Sequence, residues 1–429
     1  MNKKYDVIIA GAGPGGASAA LALARGGAKV LLLERGDSAP VKGTAVQGLG
    51  YISTPGKTLF VTDGLVALTR ALTLGGSSVV YHAVAYEPDY ALFDRRGIDL
   101  RPHVAAARAD SPCAPLPDRL IGPRARKIAA GARALGYSWE KLEKFIDPAC
   151  CRPGCGNCAF GCPYGAKRTA RDLALAAAAA GAELVTGGLV KRVLVTGGRA
   201  RGVEYVLKGK TLNAEGGAVI AAAGGLGSPE LLLNSGVPGA GGAFFYDPFV
   251  VVFGSAEEKF PPGEIPMAFG ALLPESDCFM SDLALPRAYY SVLAARAGRP
   301  NKLAAYPRQL GIMVKTRDEL GGSVSAAGRP AKPFTAAEKA RLDAGCARAE
   351  EVLAAAGAKD IFRSWPMASH PGGACAVGRV TDAGLMTKYK NLYVCDASVI
   401  PGRWGRPPAL TVLALGRYLA GRLLSQPLK

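Results

Sequence analysis

Histidine is the scarcest chemistry-bearing residue in this chain, three in 429 positions, so any histidine chemistry has few candidates. Acid is short as well: 34 Asp and Glu face 52 Lys and Arg, a formal net charge of +18. The basic residues are scattered and form neither a stripe nor a recognisable module, which excludes nucleic acid as the expected partner. A solvated basic surface is the plain reading; attraction to anionic lipid or to an acidic electron-transfer partner is the second. No run reaches the roughly 18 apolar residues of a membrane span. The nearest, an alanine stretch over 172–181, is too short and is bounded by Arg171. The chain starts with Lys3 and Lys4 ahead of a strand, without an apolar leader or cleavage site. The expected location is the cytoplasm, with contact at a membrane surface as an option and no transmembrane segment.

What is present begins at Tyr5-Asp6-Val7-Ile8-Ile9-Ala10, a short apolar run without helical spacing that reads as a buried strand. Gly11-Ala12-Gly13-Pro14-Gly15-Gly16 follows at once, then an Ala/Leu-rich helix stopped by Gly26-Gly27, then a second strand ending in Glu34. This is a βαβ unit carrying G-x-G-x-x-G at Gly11, Gly13 and Gly16. The glycines permit the tight turn, the approach of backbone to a pyrophosphate and close helix packing. The helix N-terminus faces the anion, and Glu34 suits ribose hydroxyls. Alone, the pattern does not separate FAD from NAD. Three later segments favour FAD: the second glycine turn Gly75-Gly76-Ser77-Ser78, the strand Val219–Gly224 with Ser228-Pro229 opening a helix, and the late strand 391–396 ending in Asp396.

Taken in order with Ser228-Pro229-Glu230, His370-Pro371-Gly372-Gly373, Asp396-Ala397-Ser398 and Pro408-Ala409-Leu410-Thr411, these segments resemble the glucose-methanol-choline (GMC) family of FAD oxidoreductases nearly end to end. The resemblance implies an α/β fold, a Rossmann-like FAD-binding domain with an inserted α+β substrate domain built on an antiparallel sheet. It assigns FAD contacts to Gly11, Gly13, Gly16, Glu34, Gly75, Gly76, Ser77, Ser78, Val190, Asp396, Ala397, Pro408 and Ala409. The expected division is 1–146 and 169–243 for FAD binding, 147–168 for a cysteine-rich loop, 244–369 for the substrate domain, and 370–429 for the active-site histidine and final FAD segment.

Five of the ten cysteines fall between Cys150 and Cys162. Cys155-x2-Cys158-x3-Cys162-Pro163 reproduces the end of a bacterial ferredoxin run, with Cys151 or Cys150 as a fourth thiolate. The set Cys151, Cys155, Cys158 and Cys162 is read as an iron–sulfur ligand set, [4Fe–4S] or [3Fe–4S]; structural zinc and no metal are the competing readings. Some bacterial members of the family carry a cysteine insert ending as this one does, which leans the same way. With a cluster, electrons would leave the flavin toward a protein or quinone acceptor.

His370 opens the Pro-Gly-Gly turn and matches the family's active-site histidine, so the resemblance makes it the base that takes an alcohol proton during hydride transfer. The family's second polar position aligns with Pro407, which has no side-chain donor or acceptor. Arg403, Arg406 and Tyr81 are the candidates to replace it, and His82 and His103 could approach the site. The expected activity is oxidation of a CH–OH group, on an apolar alcohol to judge from the short cap and few aromatics. A reductase or desaturase acting on a C–C bond, and a non-catalytic electron-transfer subunit, are the alternatives.

Overall fold

The computed structural model describes residues 4–425. The first apolar run is the strand β1 (Lys4–Ala10), buried from Val7 onward. Helix α1 (Pro14–Arg25) follows with proline in its first turn, where a missing N–H breaks no helical bond. Every residue of α1 from Gly15 to Ala24 is buried. Its alanines fit because it lies between two other helices, α2 (Ala170–Ala179) and the C-terminal helix Ala409–Leu424. Strand β2 (Val30–Glu34) pairs parallel to β1, completing the βαβ unit.

Strands β3 (Glu183–Thr186), β4 (Leu189–Thr196), β5 (Arg199–Leu207) and β6 (Lys210–Ala221) extend this into a sheet ordered β4-β5-β6-β1-β2-β3. The pairs around β1 are parallel, whereas β4, β5 and β6 form an antiparallel arm. The late strand Leu392–Val394 also adds in parallel to β6. The chain therefore returns to the nucleotide sheet near its end, and helix α3 (Gly224–Asn234) begins where β6 stops.

A second sheet carries the substrate side. Its centre is β7 (Pro248–Ser255), β8 (Phe269–Leu273), β9 (Cys278–Asp282) and β10 (Gln309–Thr316), antiparallel in the order β8-β9-β10-β7. The sequence pattern predicts the second of these strands from Met267. It starts later because Met267 sits at φ 57, outside strand geometry. Short strands at Leu59–Val61, Ala67–Thr69 and Glu140–Lys141 join the same sheet, so the first third of the chain also contributes to it. Side chains alternate across this sheet. Val250, Val252, Ile312 and Val314 share a core with Leu342, Cys346 and Ala349 of helix α4 (Ala336–Ala355). Phe249, Val251, Met313 and Lys315 point the other way, into a cavity. Helix α4 starts on a capping box, Thr335 with Glu338 three residues on, a pattern the sequence itself carries.

Candidate active site

A single cavity of about 540 Å³ runs from the Gly11–Gly16 turn to the second sheet. At the turn, Gly11 has φ 113, and a Cβ on it would lie 2.3 Å from the Ala222 carbonyl oxygen. A Cβ on Gly16 would lie 2.0 Å from the Gly11 carbonyl oxygen, so this glycine lets α1 seat against the turn. Around Gly13 nothing stands within 4 Å of where a Cβ would be, and its backbone lines the cavity. Helix α1 has no acidic residue in its first turn. An open cradle of backbone at an uncompensated helix N-terminus is the donor set that a pyrophosphate requires.

Glu34 is buried and lines the cavity, and both of its oxygens hold the turn in place. Oε2 accepts from the Ala12 N–H at 2.9 Å and Oε1 from the Gly36 N–H at 2.7 Å. Burial pushes its carboxyl up, while the Gly36 and Ala12 N–H groups oppose that rise. Asp396 is likewise a clamp: it accepts from the Gly224 N–H (2.9 Å), the Ser228 hydroxyl (2.5 Å) and the Ser398 N–H (2.8 Å). Gly76, Ser77, Ser78, Val190, Ala397, Pro408 and Ala409 line the cavity between these two acids. Gly75, like Gly16, does not line it; with φ 99 it packs against the start of α2. The structure thus brings the sequence-derived FAD residues to one surface that fits a dinucleotide, with two glycines behind it.

At the far end stands His370, with a quarter of its side chain exposed. Burial pushes its pKa well below the usual histidine value, and Lys315 adds to the drop. Lys315 is the residue beside His370 that sequence reading misses. Its Nζ is 2.9 Å from His370 Nδ1, and the side chain is 1% exposed. A cation inside the apolar run of β10 is the signal that could have found it. Asp247, fully buried at φ 53, completes the group, with Oδ2 3.4 Å from Nδ1 and 3.8 Å from Nζ. Of the expected replacements for the polar residue missing at Pro407, Arg403 is drawn off to Asp277 (2.6 Å) and Arg406 toward Asp89 (3.4 Å). Tyr81 lines the cavity and donates its hydroxyl to the Arg168 carbonyl. His82 also lines it, with its pKa pushed down to about 3 by burial and by nearby Lys144 and Lys167, so its ring is neutral. His103 packs edge-to-face against Tyr418 instead.

From Phe249, whose ring centroid lies 5.5 Å from Lys315 Nζ, the lining includes Val251, Leu283, Leu285 and Met313, with Tyr289, Leu293 and Arg296 of the helix Arg287–Arg296. Tyr289 stacks on Phe160 of the cysteine loop at 5.0 Å between centroids.

The expected metal set is not assembled in that loop. Among the described residues, no three His, Cys, Asp or Glu side chains are grouped to hold a metal ion. Cys150 is exposed, whereas Cys151, Cys155, Cys158 and Cys162 are half-buried. Burial pushes the Cys151 thiol up to about 12, with Cys158, Cys162 and Cys155 contributing to the rise. Lys167, at the end of the loop, ties it to the neighbouring segment: its Nζ donates to the Cys158 carbonyl (2.6 Å) within the loop and to those of Val79 (2.6 Å) and Tyr81 (3.1 Å) outside it. Lys144 Nζ donates to those of His82 (2.5 Å), Pro266 (2.8 Å) and Met267 (3.2 Å). Burial lowers both lysines to about 8, and Cys158 is the foremost group pulling them back up. No helix among the described residues is long and apolar enough to cross a membrane.

Comparison with known proteins gives the same outline. An uncharacterised GMC-type oxidoreductase of Mycobacterium tuberculosis is 27% identical over 99% of this chain and 76% of its own length. A long-chain-alcohol oxidase of Arabidopsis thaliana is 22% identical over 98% of this chain and 68% of its own. Among solved structures, pyridoxine 4-oxidase from Mesorbium loti has the same fold at TM-score 0.76 and 19% identity, covering 97% of this chain and 99% of that one. The family models for the N- and C-terminal parts of the GMC oxidoreductases match residues 5–243 and 317–416, the stretches that hold the nucleotide cradle and His370. The chain belongs to the GMC oxidoreductase family and is an FAD-dependent oxidoreductase whose family chemistry is the oxidation of CH–OH groups.

Proposed function

We propose that this enzyme oxidises the hydroxyl-bearing carbon of an apolar alcohol, with His370 taking the hydroxyl proton. The observation that carries the reading is the lining of the cavity. The polar pair His370 and Lys315 shares it with the nucleotide cradle and with an apolar wall of Phe249, Val251, Leu283, Leu285 and Met313, which we read as the arm that takes the substrate chain. Bound FAD supplies a two-electron hydride acceptor. The chain's own work is to exclude water with the apolar arm, to hold the carbinol carbon toward the flavin and to receive a proton at His370. On this reading 1–146, 169–243 and 370–429 form the FAD-binding part, apart from the short strands at Leu59–Val61, Ala67–Thr69 and Glu140–Lys141, which join 244–369 in the sheet that covers the substrate. The test is anaerobic mixing with linear primary alcohols, followed at the flavin absorbance, for wild type and His370→Ala. Equal bleaching in both would remove His370 from the reaction.

The finer proposal concerns where electrons go. A single metal ion draws its thiolates to about 2.3 Å, but an iron–sulfur cluster spreads the same ligands over a larger body. Burial raises the Cys158 thiol while the neighbouring Lys167 and Lys144 pull it back down, and two buried cations are matched by anionic partners such as the thiolates of a bound cluster. Cys151, Cys155, Cys158 and Cys162 would hold such a cluster, which would supply one-electron acceptance next to the flavin. A protein or quinone would then be the final acceptor. Iron analysis and EPR on anaerobically purified enzyme test this; an iron-free, fully flavinylated preparation that turns over with oxygen at full rate would refute it.

A further inference from the structure

Pro407 removes the polar side chain expected opposite His370, and a different element brings one to the same ring. Lys315 reaches His370 from β10, where it stands opposite Phe249 in register. Its Nζ is 2.9 Å from Nδ1. Asp247 backs both: Oδ1 accepts from the Gly405 N–H at 2.8 Å, while Oδ2 lies 3.4 Å from Nδ1 and takes no hydrogen bond among the described residues. Nδ1 is thereby occupied, and Nε2 is the nitrogen left for a substrate in the cavity that the ring lines.

The chemistry of that contact has two states. An ammonium only donates, so with Lys315 charged Nδ1 must keep its lone pair and the neutral ring carries its proton on Nε2. Such a ring can hold an oxygen but cannot accept a proton from it. An uncharged amine can accept as well as donate, so with Lys315 neutral the proton can sit on Nδ1, where the acceptor-only Asp247 Oδ2 at 3.4 Å also favours it, and Nε2 is then a free base. We propose that Lys315 is the second proton-handling residue of this site, a positioning residue that sets through Nδ1 whether Nε2 of His370 accepts or donates.

The inference rests on the reading of His370 as the base. In the oxidation, the carbinol C–H bond breaks and its electron pair goes as hydride to bound FAD. The O–H bond breaks and its proton goes to Nε2. The Nδ1–H bond breaks and that proton goes to the Nζ lone pair, leaving an ammonium beside Asp247. No further reactant is needed. The groups that bear on this relay are Asp247 and Asp318 on Lys315, with Lys332 3.2 Å from Asp318; Arg317 and Arg406 on Asp247; and His82 across the cavity from His370. Burial holds Lys315 below the ordinary lysine value, while the Asp247 and Asp318 carboxylates pull it back up. Loss of the ammonium with rising pH therefore switches the base on.

The test is 15N NMR of the flavin-loaded enzyme labelled at histidine, with the three rings assigned by His82→Gln and His103→Gln. The expected wild-type result is a change of neutral His370 from the Nε2–H to the Nδ1–H tautomer as pH rises. Lys315→Arg, whose guanidinium stays charged, should remain Nε2–H at every pH, and Lys315→Met should remain Nδ1–H, turned to Asp247. With 1-octanol as probe, flavin bleaching by Lys315→Arg at pH 9 should be about 100-fold slower than wild type and lack the alkaline rise. One tautomer in all three proteins would overturn the coupling and leave His370 as base. Should Lys315→Met not fold, Lys315→Arg against wild type decides alone. Unaltered bleaching in His370→Gln alongside an intact tautomer change would instead overturn the base.

Discussion

The apolar arm makes a quantitative demand on the substrate series. Val251 lies mid-strand in β7, fully buried, opposite Met313 in the register and between Phe249 and Phe253. Each methylene moved from water onto such walls is worth about 0.8 kcal/mol. If the arm holds the chain in the transition state, kcat/KM should rise about fourfold per added carbon until the arm is full, then level off. Val251→Phe puts a ring where an isopropyl group stands. In a close-packed wall that ring must enter the arm, which shortens it by about two methylenes. The variant should match wild type on short alcohols and reach its plateau about two carbons earlier. At wild-type optimum length that is a loss of about 10- to 20-fold. The assay is anaerobic stopped-flow bleaching with primary alcohols from butanol upward, with flavin content as the check on folding. A flat or falling wild-type series, or a Val251→Phe series parallel to it at all lengths, would refute the apolar-arm argument.

Further predictions follow from the other parts of the site. Gly16→Ala would set its methyl 2.0 Å from the Gly11 carbonyl oxygen, so the variant should purify with most of its flavin missing; the absorbance ratio of flavin to protein checks this, and full loading would contradict the packing role. His82 is held neutral with a pKa near 3, below the unfolded value of about 6.5. Its contribution to stability is therefore present above pH 6.5 and lost as pH falls toward 3, about 2 kcal/mol by pH 5. His82→Gln should flatten the acid side of a melting-temperature profile, and an unchanged profile would exclude that ring as a source of acid lability. Lys144→Met and Lys167→Met should each lower iron content in anaerobic preparations if the cysteine loop holds a cluster, while flavin loading falls less. Equal iron in all three proteins would dissociate these lysines from metal binding.

Much of this site was legible before any coordinates, because it is local. The Gly11–Gly16 turn, Glu34 and the helix behind them lie in consecutive residues whose periodicity states both the elements and their junction. The capping box at Thr335 is equally local, a side chain and a backbone N–H three residues apart. What escaped reading depends on partners distant in sequence. Lys315 acquires its role only when β10 pairs with β7 and sets it beside a turn 55 residues later. Glu34 and Asp396 were expected to face ligand alone. The structure shows them also clamping backbone N–H groups, which no pattern of residue types reveals. The cysteine spacing predicts four converging thiolates, but buried Lys167 ties the loop at the Cys158 carbonyl, and among the described residues the sulfurs do not group around one ion.

The Asp396 clamp also has a consequence for the order of events on the ribosome. The β6–α3 turn is fastened by a carboxylate that emerges some 170 residues later, and α1 is covered on one side by the helix Ala409–Leu424. The cradle can therefore be finished only after Asp396 and the helix Ala409–Leu424 have been translated. Until then the Gly11–Gly16 segment waits with its neighbours missing, and long-range parallel pairing of this kind forms slowly. Flavin capture on this turn has to wait for those residues, and a nascent chain stalled anywhere before Leu392 should leave the tunnel colourless.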